Sequence, residues 1–184
     1  MGLVQQEIPD RRQRRRDEAR EEIIAAAWEL AEQDGIATLS LRDLAGRVGM
    51  RAPSLYTYFD SKAAIYDAMF AQGYRELEAL YMSFDVDRRD PVGSLARSME
   101  WFLEFCVASI PRYQLLFTRV VGDWEPSKDA YAASVAAYDH MAQVLGRLGV
   151  REGSDLDLWT AIGGGLAAQQ VANDPGGDRW IRLT

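Results

Sequence analysis

A chain of 184 residues, 48% of them hydrophobic, can bury a core of its own, which excludes a disordered chain and fits one large domain or a small domain joined to a larger one. A single cysteine, Cys106, excludes an intramolecular disulfide framework, and with no charged-then-apolar leader at the start the expected location is cytoplasmic. Charged or polar residues interrupt every apolar stretch before the roughly 18 residues a membrane-spanning helix needs, so no membrane partner is expected.

The net charge of −7 speaks against a nucleic-acid partner until its distribution is read. Residues 1–62 carry ten Lys and Arg against eleven Asp and Glu, whereas residues 63–184 carry eleven against seventeen. The acidity therefore sits in the second part. In the first part Arg11, Arg12, Arg14, Arg15 and Arg16 form a block, and residues 38–62 hold Arg42, Arg47, Arg51 and Lys62 against only Asp43 and Asp60. Two basic patches survive on an acidic protein.

Residues 1–16 show no apolar period and read as a flexible basic arm, with order expected from about Asp17. Ile23, Ala26, Ala27, Leu30 and Ala31 recur at helical spacing and stop at Gly35, which defines a first helix. Ser40 can cap a second, short helix with Asp43 as its capping-box partner; Leu41, Leu44, Ala45 and Val48 form its apolar face and Gly49 its end. A third helix follows at once, with Pro53 suited to its first turn and Leu55, Tyr58 and Phe59 on its buried side. Asp60-Ser61 can cap a fourth, carrying Ile65, Tyr66, Met69, Phe70, Leu77 and Leu80.

The charged stretch Phe84 to Val92 reads as a linker. Beyond it, apolar faces predict helices over Leu95 to Ser109, Pro111 to Val121, Lys128 to Leu148 and Leu156 to Val171, the last closed by the turn cluster Asn173 to Asp178. Trp180 to Thr184 looks like the opening turn of another amphipathic helix. No segment alternates with period two, so the fold class is all-α: a three-helix unit over 17–62, with the start of a fourth helix to about 72, and a larger helical bundle over 63–184.

A helix-turn-helix needs a small residue in its first helix and a flexible turn about four positions later, and Ala45 and Gly49 supply both. The second helix must offer small or polar residues to the major groove, as Arg51, Ala52, Ser54, Tyr56 and Thr57 do, while Arg42 and Lys62 near helix starts extend the grip on phosphate. The stretch Thr38 to Lys62, above all Leu55, Tyr56, Tyr58, Phe59 and Lys62, resembles the DNA-binding signature of TetR-family regulators. That resemblance covers about residues 20–72 and implies a homodimer, a near-palindromic operator and repression relieved by a small-molecule effector. It places Tyr56 and Lys62 on phosphate and Arg51, Ser54 and Thr57 at or near base edges, with Ala52, Pro53 and Tyr58 in the same interface. Pro53 departs from the small residue, such as glycine, that many members carry, and it stiffens the helix entrance. Arg15 and Arg16 are expected to help hold DNA from the arm.

Trp101, Phe102, Phe105, Tyr113, Phe117, Trp124, Tyr131, Tyr138 and Trp159 make the second part rich in aromatics, which suits a lined ligand cavity as well as ordinary core. Gly163-Gly164-Gly165 lacks the strand and lysine of a phosphate loop and favours close helix approach; with the resemblance it suggests a dimer face of Trp159, Ile162, Gly163, Leu166 and Gln170. One histidine, His140, and one cysteine leave too few ligands for a zinc site, so neither metal nor cofactor is expected. Two other readings compete. A helical enzyme would need a nucleophile, base and orienting group, which these residues do not assemble. An architectural DNA binder would not need the long aromatic second part.

Overall fold

In the computed structural model, which describes residues 11–184, eight α-helices follow one another with no strand among the described residues. They are α1 (Arg11–Asp34), α2 (Leu41–Arg47), α3 (Ala52–Leu55), α4 (Lys62–Ser83), α5 (Pro91–Ala108), α6 (Ile110–Phe117), α7 (Lys128–Arg147) and α8 (Gly153–Asn173), with single 3-10 turns at Ile36–Thr38 and Ile181–Leu183. The first ten residues of the expected basic arm lie outside the described residues. Arg11 to Arg16 do not form an arm: they are the first turns of α1, which starts six residues before Asp17. Arginine is a good helix former, and the exposed turn needs no apolar partner of its own to extend the packed helix behind it.

Capping explains most helix starts. The Ser40 and Ser61 hydroxyls accept the amides of Asp43 and Ala64, at 3.4 and 3.0 Å, opening α2 and α4. Only this half of the expected box at Ser40 forms among the described residues, since Asp43 is a methylene shorter than the Glu such a box uses. Asp90 accepts the Gly93 amide at 2.9 Å and so starts α5 at Pro91, four residues ahead of the expected Leu95. The linker before it is partly ordered, because Phe84 is buried and Ser94 Oγ pairs with both the amide and the carbonyl of Asp87. The final 3-10 turn stands where another helix was expected to open.

The core is continuous across the boundary at residues 62 and 63. Ile23, Ala27 and Leu30 of α1, Leu44 of α2, Leu55 and Phe59 around α3, and Ile65, Met69 and Phe70 of α4 bury together, and Leu115 and Leu116 of α6 enter the same cluster from the helical body. Helix α4 then continues into a second cluster with α7, through Leu77, Tyr81, Met141, Val144 and Leu145, while Met99, Leu103 and Cys106 of α5 join α6 and α8 in a third. Two helices, α4 and α6, thus belong to both halves of the molecule. Their approach is close: a Cβ added at Gly73 of α4 would stand 3.0 Å from a Leu116 methyl.

Candidate functional site

The turn between α2 and α3 is set by Gly49, whose φ of +67° is open to glycine at little cost. Its amide bonds to the Gly46 carbonyl and the Met50 amide to the Ala45 carbonyl, the two bonds of a Schellman ending. Ala45 itself is buried, which lets α2 and α3 approach. Helix α3 proper is only four residues long, but single turns continue it to Phe59, whose amide reaches the Leu55 carbonyl at 2.9 Å. Leu55 and Phe59 anchor it inward. Arg51, Pro53, Ser54, Tyr56 and Thr57 face solvent on the other side, Ala52 and Tyr58 are half-buried, and Arg42 is exposed at the start of α2. Lys62, the first residue of α4, is half-buried, with its ammonium 5.4 Å from the Tyr66 ring centroid.

The short helix is braced from α1. Arg20 donates to the Tyr58 carbonyl oxygen and lays its guanidinium 4.1 Å from the Phe59 ring centroid. Arg16, one turn earlier, donates to the Thr57 carbonyl oxygen at 3.2 Å. These carbonyls end a helical turn that lacks further residues to pair with them, and a cation there also meets the negative end of the turn. Arg15 and Arg16, both expected to help hold DNA, are exposed, and Arg16 also makes this bond within the protein. Arg47, counted above with the basic patch, is paired at 2.9 Å with Glu29 and hydrogen-bonded to Gln33, so its charge is offset.

Between α4, α5, α6, α7 and α8 lies a cavity of about 460 Å³. Of the nine aromatics singled out by sequence, Phe102, Tyr113, Phe117, Tyr131, Tyr138 and Trp159 line it. The other three do not. Trp101 packs edge-on against Phe84, with centroids 5.0 Å apart, and Phe105 carries the Arg112 guanidinium 3.9 Å above its ring. Trp124 packs at a tilt against Tyr66 and edge-on against Phe70 and donates to Asp67 Oδ1 at 3.1 Å, sealing the junction with the N-terminal half. Tyr74, Leu77 and Tyr81 of α4 complete the wall. Sequence reasoning assigned α4 only to the core, because one amphipathic stripe cannot show where neighbouring helices leave a gap.

Comparison with known proteins joins these features. The model for bacterial regulatory proteins of the tetR family matches residues 23–69, from the middle of α1 to the first turns of α4. Over those residues the chain is similar to the tetR family. The whole TetR-like fold recurs in solved structures. The chain is similar to SCO4313, described as a regulatory protein (19% identity, 96% of this chain and 98% of that one, TM-score 0.72). It is also similar to the TetR-family transcriptional regulator PfmR from Thermus thermophilus (22%, 88% and 91%, 0.64). A third is the transcriptional regulator FadR from Bacillus subtilis, solved with stearoyl-CoA (17%, 89% and 92%, 0.58). No curated protein matches the chain in sequence.

The residues expected on a dimer face divide. Ile162 is exposed, and Leu166 is half-buried and packs against the cluster that holds Met99 and Leu103 of α5. Gly163 and Gln170 are buried inward, and Trp159 lines the cavity. A Cβ at Gly163 would stand 3.2 Å from Met99 and Phe102, so this glycine serves the α5–α8 approach within one chain. Gln170 is held by the chain end: its Oε1 accepts the Trp180 amide at 2.8 Å and its amide donates to the Gly177 carbonyl at 3.0 Å. The outer face is instead apolar through Leu158 and Ile162, and Tyr131, Val135 and Tyr138 of α7 are exposed as well. Among the described residues no cluster of metal-binding side chains and no helix long and apolar enough to cross a membrane occurs.

Proposed function

We propose that this chain is a TetR-family transcriptional regulator, a repressor that binds a near-palindromic operator as a homodimer and is released by a small-molecule effector. The observation that carries the reading is the exposed side of α3, held outward by Leu55 and Phe59 and braced by Arg20. A short helix so presented fits the major groove, with Tyr56 and Lys62 on phosphates and Arg51, Ser54 and Thr57 near base edges. Ala52 and Pro53 let its backbone come close, Tyr58 backs it, and Arg42 adds a phosphate contact. Arg15 lies on the exposed side of α1 and adds charge to the same grip.

The cavity supplies the control. Helix α4 begins at Lys62 beside the DNA-binding unit and lines the cavity with Tyr74, Leu77 and Tyr81, about 33 Å end to end for its 22 residues. Helix α6 offers Tyr113 and Phe117 to the cavity and Leu115 and Leu116 to the N-terminal core. A bound effector that spreads these helices alters the setting of α3 by rigid packing, because close-packed cores pass displacement on rather than absorb it. The exposed apolar residues of α7 and α8, Leu158 and Ile162 among them, are the surface on which a second copy would pack.

The test is selection of bound fragments from a random DNA pool, followed by binding curves on the selected site and on unrelated DNA in low salt. The reading expects a two-fold related consensus bound at least about 1,000-fold more tightly than unrelated DNA. Recovery of no consensus would overturn it.

A further inference from the structure

We propose that the effector cavity selects an uncharged, planar aromatic molecule carrying at least one hydrogen-bonding oxygen, held by the hydroxyls of Tyr81 and Tyr113, and that it rejects carboxylates and ammonium ions of the same size. This rests on the reading of the cavity as an effector site and narrows it to a chemical class.

Three observations converge. No Asp, Glu, Lys, Arg or His is among the residues lining the cavity. A charged ligand entering it would give up hydration with no opposite charge to replace the water, which is the costliest kind of burial. The walls are instead aromatic, and their rings pack on one another. Phe102 and Phe117 meet edge-on with centroids 5.5 Å apart, and Phe117 also meets Tyr74 and Tyr113 at 5.8 and 6.0 Å. Such rings favour a flat π-system as their next neighbour.

The polar complement is just as specific. Tyr81 and Tyr113 are 5% and 8% exposed, and among the described residues neither hydroxyl has a hydrogen-bond partner, whereas the Tyr74 hydroxyl is already satisfied by the Leu116 carbonyl at 3.0 Å. A hydroxyl that lines a cavity and has no partner in the protein is free to pair with a polar atom placed inside it. Burial pushes both phenols above their ordinary range, so they stay protonated and can donate to a carbonyl or accept from a hydroxyl. Ser134 and Thr160 also line the cavity without charge, their hydroxyls donating to the Tyr131 and Asp157 carbonyls at 2.7 and 2.9 Å.

The full chain is titrated without DNA, by calorimetry and by quenching of tryptophan emission, with two matched pairs of probes: 2-naphthol against 2-naphthoate, and 4-hydroxybiphenyl against biphenyl-4-carboxylate. The neutral member of each pair is expected to bind at least about 10-fold more tightly than its anion. Tyr81→Phe and Tyr113→Phe, which remove only an oxygen, should each weaken the neutral probe about 3- to 10-fold, with the melting temperature showing that the fold survives. Anions binding as tightly as the neutral probes, no neutral probe binding at all, or both variants binding like the parent would each overturn the proposal. Because these titrations contain no DNA, their failure leaves the DNA-binding reading intact, and an absent operator consensus leaves them readable.

Discussion

Replacing Arg20 with alanine removes two contacts at once from the end of the recognition element. The guanidinium's hydrogen bond to the Tyr58 carbonyl is charge-assisted, a kind worth about 1.5–3 kcal/mol, and its stacking on Phe59 adds about 0.5–1 kcal/mol. Arg20 is only half-buried, so water recovers part of this and a net loss of about 2 kcal/mol is expected. For a chain of this length that lowers the melting temperature by roughly 4–8 °C. Some of the loss falls locally on the turn after α3, so operator affinity should drop about 3- to 10-fold even well below the melting temperature. Arg20→Met, which keeps the apolar stem over Phe59 but not the hydrogen bond, should fall between parent and Arg20→Ala. Differential scanning calorimetry and fluorescence anisotropy with labelled operator measure both effects. If Arg20→Ala melts and binds DNA like the parent, α3 is not held from α1 in the way described.

Three more outcomes follow from the same geometry. Tyr56→Ala and Lys62→Ala should weaken operator and unrelated DNA alike, and Lys62→Ala should reduce the salt slope of log K by about 1, while Thr57→Ala shifts the preferred sequence; binding curves on both DNAs at several salt concentrations decide this. Leu103→Ala, at a fully buried position where α5 meets α6 and α8, should cost about 2–5 kcal/mol in denaturant unfolding with the DNA-contacting residues untouched. Burial pushes the Cys106 thiol up to about 12, and Tyr66, Tyr74, Tyr81 and Tyr113 are raised for the same reason. Acids whose folded values are raised contribute fully below their unfolded values and lose that contribution as pH climbs toward the folded ones. Stability should therefore begin to fall above pH 9.0, the ordinary thiol value, and fall further past 10.0, the ordinary phenol value; Cys106→Ala should remove only the first part.

The sequence carried the helix order well, because caps and apolar spacing are local signals: Ser40, Gly49, Ser61 and the run from Ile65 to Leu77 each act within a turn or two of where they stand. The start of α5 was legible in principle, since Asp90 before Pro91 is a capping residue followed by a proline in the first turn, yet the charges around it read more strongly as linker. Long-range pairings were not legible. Arg20 looks like one more cation in an arginine-rich stretch, and only the fold brings it 38 positions along the chain to Tyr58. On α8 the apolar residues run nearly all round the helix, so nothing in their spacing separates Gly163 and Gln170, which face inward, from Ile162, which faces out. The same limit separated Trp101, Phe105 and Trp124 from the aromatics that line the cavity.

The claim on which the account turns is that the exposed side of α3 enters the major groove, and the most direct measurement of it is methylation interference on a selected operator. Guanine N7 lies in the major groove, so its methylation should block binding at positions within both half-sites, about one helical turn apart between their centres. Binding indifferent to N7 methylation, but abolished by a compound that fills the minor groove, would contradict it.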